Sequence, residues 1–363
     1  MFFSWKQWVS LVLAGLILLA GRFNAAHSGG DALSPGESSI ISEADPAVLQ
    51  LRSVLSADNR GALAVNDQPP PQSTPGNDLL LQNGAEEQEP EEPAPEPYII
   101  LVPEHDGIQE KRNDKAVIDY SHINDGYFMV QRLADTDHRF KVLVKVKGLT
   151  YNYNIDTGDW ATFPLSEGDN AYQVQVLENV SGTKYANVIS VSFQAKIDDP
   201  FAPFLRPNLH VNYLNAPNTM EKGAELTAGC EGPLSKVDAV FGFITSTINY
   251  DYLLAATVET GYLPDLDRIL KRKRGICYDY SSLMTAMLRS QNVPCKLVFG
   301  YVGKIYHAWI SVWVEEEGWI DVIHFDGKTW QRMDPTFTAA GTSDEAVRKY
   351  VGNGNNYAVK FSF

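Results

Sequence analysis

Residues 86–97 read EEQEPEEPAPEP, and this run sets where the chain can begin to fold. Alternating glutamate and proline offers almost no apolar surface to bury, so nothing offsets the entropy of ordering it. Residues 29–97 share the bias: they are rich in Ser, Pro, Gly, Gln and Glu and poor in aromatics. They are expected to form a disordered Pro/Glu-rich linker, stiffened at its end toward extended polyproline II. Globular folding is thereby assigned to residues 98–363.

Upstream of the linker, Lys6 precedes the apolar run WVSLVLAGLILLA at residues 8–20. That run is shorter than the roughly 20 residues of a membrane span and suits the apolar part of an export signal. Leu18, Leu19, Phe23 and Asn24 fall at poor positions for cleavage. Residues 1–28 are therefore expected to be a signal peptide or a membrane anchor. The remainder would be secreted or cell-surface, with N-terminal membrane contact if the signal is uncleaved. The formal net charge of −15 repels phosphate backbones, so no nucleic-acid partner is expected.

Residues 98–197 read as an all-β, sandwich-like domain. Residues 98–102 form a short apolar run, and Phe140, Val142, Val144 and Val146 alternate strictly. Residues 172–177 and 188–197 continue the strand pattern, with turn signals such as Asn124-Asp125-Gly126 between the segments. Residues 198–222, broken by Pro200, Pro203, Pro207 and Pro217, are expected to be an irregular but ordered connection. Beyond it, Val237, Phe241, Ile244 and Ile248 mark one face of a helix, and a second, short helix is expected at residues 264–271.

The chemistry concentrates after that helix. Cys277 stands where a glycine-containing loop (RGIC) turns into a helix carrying Tyr280, Leu283, Met284, Met287 and Leu288 on one stripe. Free amides and the helix dipole at such a start stabilise a thiolate and can donate to an oxyanion. Residues 296–301 read as a strand, and His307 opens another, with Ala308, Ile310, Val312 and Val314 alternating against Trp309, Ser311 and Trp313. Asp326-Gly327 signals a hairpin between residues 319–325 and 328–333, and Asp334-Pro335 closes it. A thiol, an imidazole to act as base and a carboxylate to orient the imidazole form a plausible relay. Asp321 and His324 are rivals within the hairpin, and Asp326 is better explained by its turn. Tyr278 and Asp279 could offer backbone amides or shape the cleft. The second oxyanion donor is unassigned, with Asn249 and Tyr250 as weak candidates.

Taken together, GICYDYSSL, MLRSQNVP, YHAWISV and MDPTF resemble the transglutaminase-like core, a version of the papain-like fold, over about residues 232–340. The arrangement of stalk, β-domain and core is similar to exported bacterial proteins that carry a transglutaminase domain. The resemblance implies an α+β catalytic domain at residues 198–363, its helices packed on an antiparallel sheet. It implies Cys277 as nucleophile, His307 as general base and acid, and Asp334 as the orienting carboxylate. It further implies an extracellular thiol enzyme acting on peptide or glutamine amides through a cysteine thioester. Hydrolysis would make it a peptidase or deamidase; an amine acceptor would make it a crosslinking transglutaminase. The expected partner is a protein or peptide substrate, a cell-wall peptide among the candidates. The alternative is a non-catalytic surface-binding or scaffold protein of the same fold. No cofactor or metal site is expected, because the three cysteines form no CxxC pair and the acids lack calcium-loop spacing. Cys230 and Cys295 are read either as a disulfide that leaves Cys277 free or as small buried apolar residues.

Overall fold

The computed structural model describes residues 98–302, 305–315, 318–321, 323–325, 330–332 and 357–363. The expected signal or anchor, the linker and Asp334 lie outside them. All described residues belong to one compact unit, Ser38–Phe363.

The first eight strands form two antiparallel four-stranded sheets. Strands β1 (Glu110–Arg112), β2 (Ala116–Asp119), β3 (Tyr127–Arg132) and β6 (Trp160–Pro164) pair in that order. Strands β5 (Leu149–Ile155), β4 (Phe140–Val146), β7 (Ala171–Ser181) and β8 (Lys184–Gln194) make the second sheet. The alternation read along residues 140–146 is the pleat itself, because Phe140, Val142, Val144 and Val146 are all buried. Aromatic side chains of the two sheets meet: Tyr153 crosses Phe163 edge to face at 4.8 Å, and Phe128 lies 6.1 Å from Phe193. Residues 98–102, expected to be a strand, are irregular instead. The Ile99 N–H donates to the Ser290 carbonyl (2.8 Å) at the end of a helix, which satisfies that helix rather than a sheet.

The connection contains a helix that the sequence does not announce. Helix α1 (Pro217–Thr227) starts within the stretch expected to be irregular. Its N-cap is Ala216, which has no side-chain acceptor. The cap comes from a distant residue: the Asp267 carboxylate accepts from the backbone N–H groups of Asn218 (3.2 Å) and Thr219 (2.8 Å) and from both side chains. Burial opposes the Asp267 charge, but these four donors outweigh it and lower the pKa. Gly223 then allows close helix packing, since a Cβ there would lie 3.2 Å from Met287 Cβ.

Helix α2 (Gly232–Thr247) buries the expected stripe of Val237, Phe241 and Ile244, and Ile248 is buried just beyond its end. Two short helices follow, α3 (Tyr252–Thr257) and α4 (Leu266–Arg272). A two-residue parallel bridge joins β9 (Asn249–Tyr250) to β10 (Arg274–Gly275). Helix α5 (Cys277–Ser290) is more enclosed than its apolar stripe suggests, for every residue from 278 to 290 is buried. It packs against the antiparallel sheet of β13 (Gly318–Asp321), β12 (Ile305–Val314), β11 (Cys295–Val302) and β16 (Tyr357–Ser362). The strand expected over residues 319–325 is divided: β14 (Ile323–Phe325) pairs separately with β15 (Trp330–Arg332). One connected hydrophobic cluster runs from the first two sheets to α5.

Arg289 is almost wholly buried near the end of α5. Its Nε donates to the Cys295 carbonyl (2.8 Å), Nη1 to Arg206 O (2.7 Å) and Nη2 to Phe363 O (2.6 Å). The guanidinium thus ties the helix, the start of β11, the connection and the residue after β16 at one point. Replacing it by methionine would leave three carbonyls without their charged donor. Arg289→Met is expected to lower unfolding free energy by about 3 kcal/mol or more in urea titrations. Arg289→Lys should recover little, because one ammonium lacks the fork. A loss below about 1 kcal/mol for Arg289→Met would show that the clamp is not structural.

Candidate active site

The path into Cys277 is sterically tight. Lys273 ends α4 in the left-handed region (φ 50°), and β10 carries the chain across β9. At Gly275 a Cβ would fall 2.6 Å from Asp279 Cβ and 2.9 Å from its Oδ2. Only glycine leaves that carboxylate its place. The N-cap residue, Ile276, is extended and has no acceptor on its side chain. Asp279, three residues on, accepts the Ile276 N–H instead (2.8 Å), which is the return half of a capping box. Tyr262 donates its hydroxyl to the other Asp279 oxygen (2.7 Å). Burial pushes the Asp279 carboxyl up to about 6, against these two donors.

Cys277 is the first residue of α5, half-buried, with a free thiol. Cys230 and Cys295 are free as well, so of the two readings of that pair the structure follows the unbridged one. Cys295 is wholly buried, its Sγ lies 3.6 Å from Thr285 Oγ1, and burial pushes the thiol up to about 12.

Beside the helix start runs the β11–β12 pair. Its register sets Tyr301 opposite Tyr306, Gly300 opposite His307 and Phe299 opposite Ala308. The Phe299 ring meets the Tyr278 ring edge to face at 4.9 Å. The Tyr306 hydroxyl is pushed up first by burial, then by Tyr301 and by the Cys277 thiol beside it. Side chains alternate along a strand, so Tyr306 and Ala308 share the face toward α5. His307 follows Tyr306 on β12, its ring centroid 6.4 Å from that of Trp309. His307 is buried. Gly300 has a steric reason too: a Cβ there would sit 2.1 Å from the Ala358 carbonyl oxygen and 2.7 Å from Trp309 Cη2.

Cys277 and Tyr306 both pack against the same buried core. His307 is one residue further along β12, and Asp334 lies outside the described residues. Asp321 stands on β13 opposite Ser311. The side chain of His324 and the whole of Asp326 are outside the described set. Asn249 and Tyr250 form the bridge to β10, which ends two residues ahead of Cys277. Trp313 and Trp319 pack 5.7 Å apart, and Trp319 also meets Phe204 at 5.0 Å. Sequence reasoning missed Tyr306, Tyr262 and the hub role of Asp279. For Asp279 there was a signal, an acid at the third helical position.

One mixed group among the described residues could in principle hold a metal: Glu104, Asp106 and His122, with ligand atoms within 4.8 Å of one another. His122 is already engaged, with Nδ1 at 2.8 Å from Asp125 and Nε2 at 3.2 Å from Asp106. Burial opposes its protonation, but the two carboxylates outweigh it and raise the pKa. A protonated imidazole satisfies this arrangement without an ion.

Residues 221–335 match the family model of the transglutaminase-like superfamily (Transglut_core). That segment spans Cys277, His307 and Asp334, and its fold is transglutaminase-like, with helices on antiparallel sheet. An uncharacterized protein of Bacillus subtilis (strain 168), YebA, is 26% identical over 156 residues, 36% of this chain. The match spans only 21% of that relative's length. A proposed cysteine protease from Cytophaga hutchinsonii superposes with a TM-score of 0.33 at 13% identity, covering 70% of this chain and 74% of the other. Red sea bream transglutaminase superposes with a TM-score of 0.25 at 12% identity, covering 59% and 53%.

The Asp279 cap has a pH signature. An ordinary aspartate in the unfolded chain titrates near 4, so between about pH 4 and pH 6 the folded state alone keeps this proton. The group's contribution is fully present below about pH 4 and is lost as pH rises through 6. Urea unfolding should therefore show wild type losing stability relative to Asp279→Asn as pH is raised from about 4 to about 7. A stability gap independent of pH would mean that Asp279 is ionised throughout.

Proposed function

We propose that this chain is an exported thiol enzyme that cleaves or transfers peptide or glutamine amides through a thioester on Cys277. The observation that carries the reading is the placement of a half-buried free thiol as the first residue of a buried helix, within a transglutaminase-like segment. The first amides of α5 have no partners within the helix, and they favour a thiolate and the oxyanion formed on attack.

In this reading His307 takes the proton of the Cys277 thiol, the sulfur attacks the amide carbon and the carbonyl pair moves to oxygen. As the tetrahedral intermediate collapses, the C–N bond breaks and His307 delivers the proton to the departing nitrogen. Water or an amine, deprotonated by His307, then attacks the thioester and releases Cys277. Asp334 orients the imidazole. Hydrolysis is the default outcome, since transfer to an amine further requires exclusion of water. The strands of residues 110–194 serve as a sandwich-like support for the catalytic part. The linker holds both at a distance from a membrane or wall, and a protein or cell-wall peptide is the substrate.

The test is the rate of iodoacetamide alkylation at Cys277 against pH, followed by mass spectrometry on the full chain. Alkylation well below the ordinary thiol pKa of about 8.5, lost in His307→Ala, is expected. Cys295, buried and protonated, should remain unlabelled in the folded protein. Ordinary-thiol behaviour at Cys277 with no effect of His307→Ala would sink the enzyme reading and favour a non-catalytic surface protein.

A further inference from the structure

We infer that the His210–Tyr278 pair is a positioning device for the nucleophile, through which the sheets of residues 110–194 set the reactivity of Cys277. The inference rests on the reading of Cys277 as the nucleophile.

Tyr278 is the second residue of α5, so its side chain fixes the turn whose free amides surround the thiol. That turn has no side-chain cap at Ile276, which makes it depend on lateral anchors. One anchor is Asp279. The other is the Tyr278 hydroxyl, which lies 2.6 Å from His210 Nδ1, with both residues buried.

His210 is itself fixed from the opposite side. Its backbone N–H donates to Asn208 Oδ1 (3.0 Å), and its carbonyl accepts from Ser282 Oγ (3.1 Å), one turn along α5. The neighbouring Leu209 N–H donates to Thr162 O (3.0 Å) in β6. The imidazole stacks on Tyr153 of β5 at 5.3 Å and meets Phe363 at 4.3 Å. A polar route from the first two sheets to the amide after Cys277 therefore runs through this imidazole, beside an aromatic one through Phe363 and Phe299.

The chemistry of the pair is costly for a group that merely fills space. Burial lowers the His210 pKa to about 3, so the ring is neutral. Among the described residues Nε2 has no hydrogen-bond partner, although the ring is fully buried. A phenylalanine would fill the same aromatic box and remove the unpartnered Nε2, but would leave the buried Tyr278 hydroxyl without the bond that His210 supplies.

The experiment is the Cys277 alkylation profile against pH in the full chain, with thermal unfolding measured in parallel, for wild type, Tyr278→Phe, His210→Phe and His210→Asn. Tyr278→Phe keeps the ring and removes only the hydroxyl, so it decides the matter even if His210→Phe fails to fold. Misplacing a reacting group by about an ångström costs up to a hundredfold. The expected result is a loss of roughly tenfold or more in low-pH alkylation for Tyr278→Phe and His210→Phe. His210→Asn, with an amide where Nδ1 was, should recover most of it. A low-pH profile in wild type that survives both phenylalanine variants overturns the inference and leaves the thiol-enzyme reading standing. A wild-type Cys277 that reacts only as an ordinary thiol overturns both.

Discussion

A single buried guanidinium holds the far end of α5, the helix that begins at Cys277. Arg289 has carbonyls for partners rather than a carboxylate, and each belongs to a different stretch of chain. A charge in an apolar interior is tolerable only when it is well hydrogen-bonded. Here the fork geometry of arginine matches carbonyls at 206, 295 and 363, so α5, β11 and the segment after β16 are fixed together. The helix can then be buried on every side, its serines and threonine included. Rigidity at the far end matters at the near end, where α5 presents Cys277.

How much of this could be read beforehand depends on whether the determining contact is local. Helix α2 was legible because its stripe of Val237, Phe241 and Ile244 is an intrinsic pattern. Cys277 at a helix start was legible because Gly275 and the following apolar residues are adjacent in sequence. The β11–β12 register was legible in outline from the alternation around Trp309. Helix α1 was not, because its cap is Asp267, far along the chain, while its own N-cap is an alanine. The irregular path of residues 98–102 was hidden for the same reason, since their partner is the Ser290 carbonyl. His210 gave no signal either: a lone histidine in a proline-rich connection shows nothing of the aromatic box that receives it.

The start of α5 combines two kinds of residue requirement. Gly275 is needed because a side chain would occupy the space of Asp279, and Asp279 is needed because Ile276 cannot cap the helix. The short GIC motif therefore both sets a thiol at the helix start and leaves room for a buried carboxylate behind it. Tyr262 and Tyr278 extend this arrangement sideways, to the loop before α4 and to the connection.

Gly300 shapes the order in which the corner is built. Strands β11 and β12 are neighbours in sequence and can zip as a hairpin on a microsecond scale, bringing His307 opposite Gly300 early. Strand β16 is distant in sequence and pairs with the other side of β11 later than the adjacent β12 does, and its Ala358 carbonyl occupies the space that a side chain at 300 would take. The sheet thus forms as a two-strand ribbon that accepts its last neighbour late. Until that strand docks, the Trp309 ring lacks its edge-to-face partner Tyr357 (5.1 Å), so this side of the sheet is completed after the hairpin.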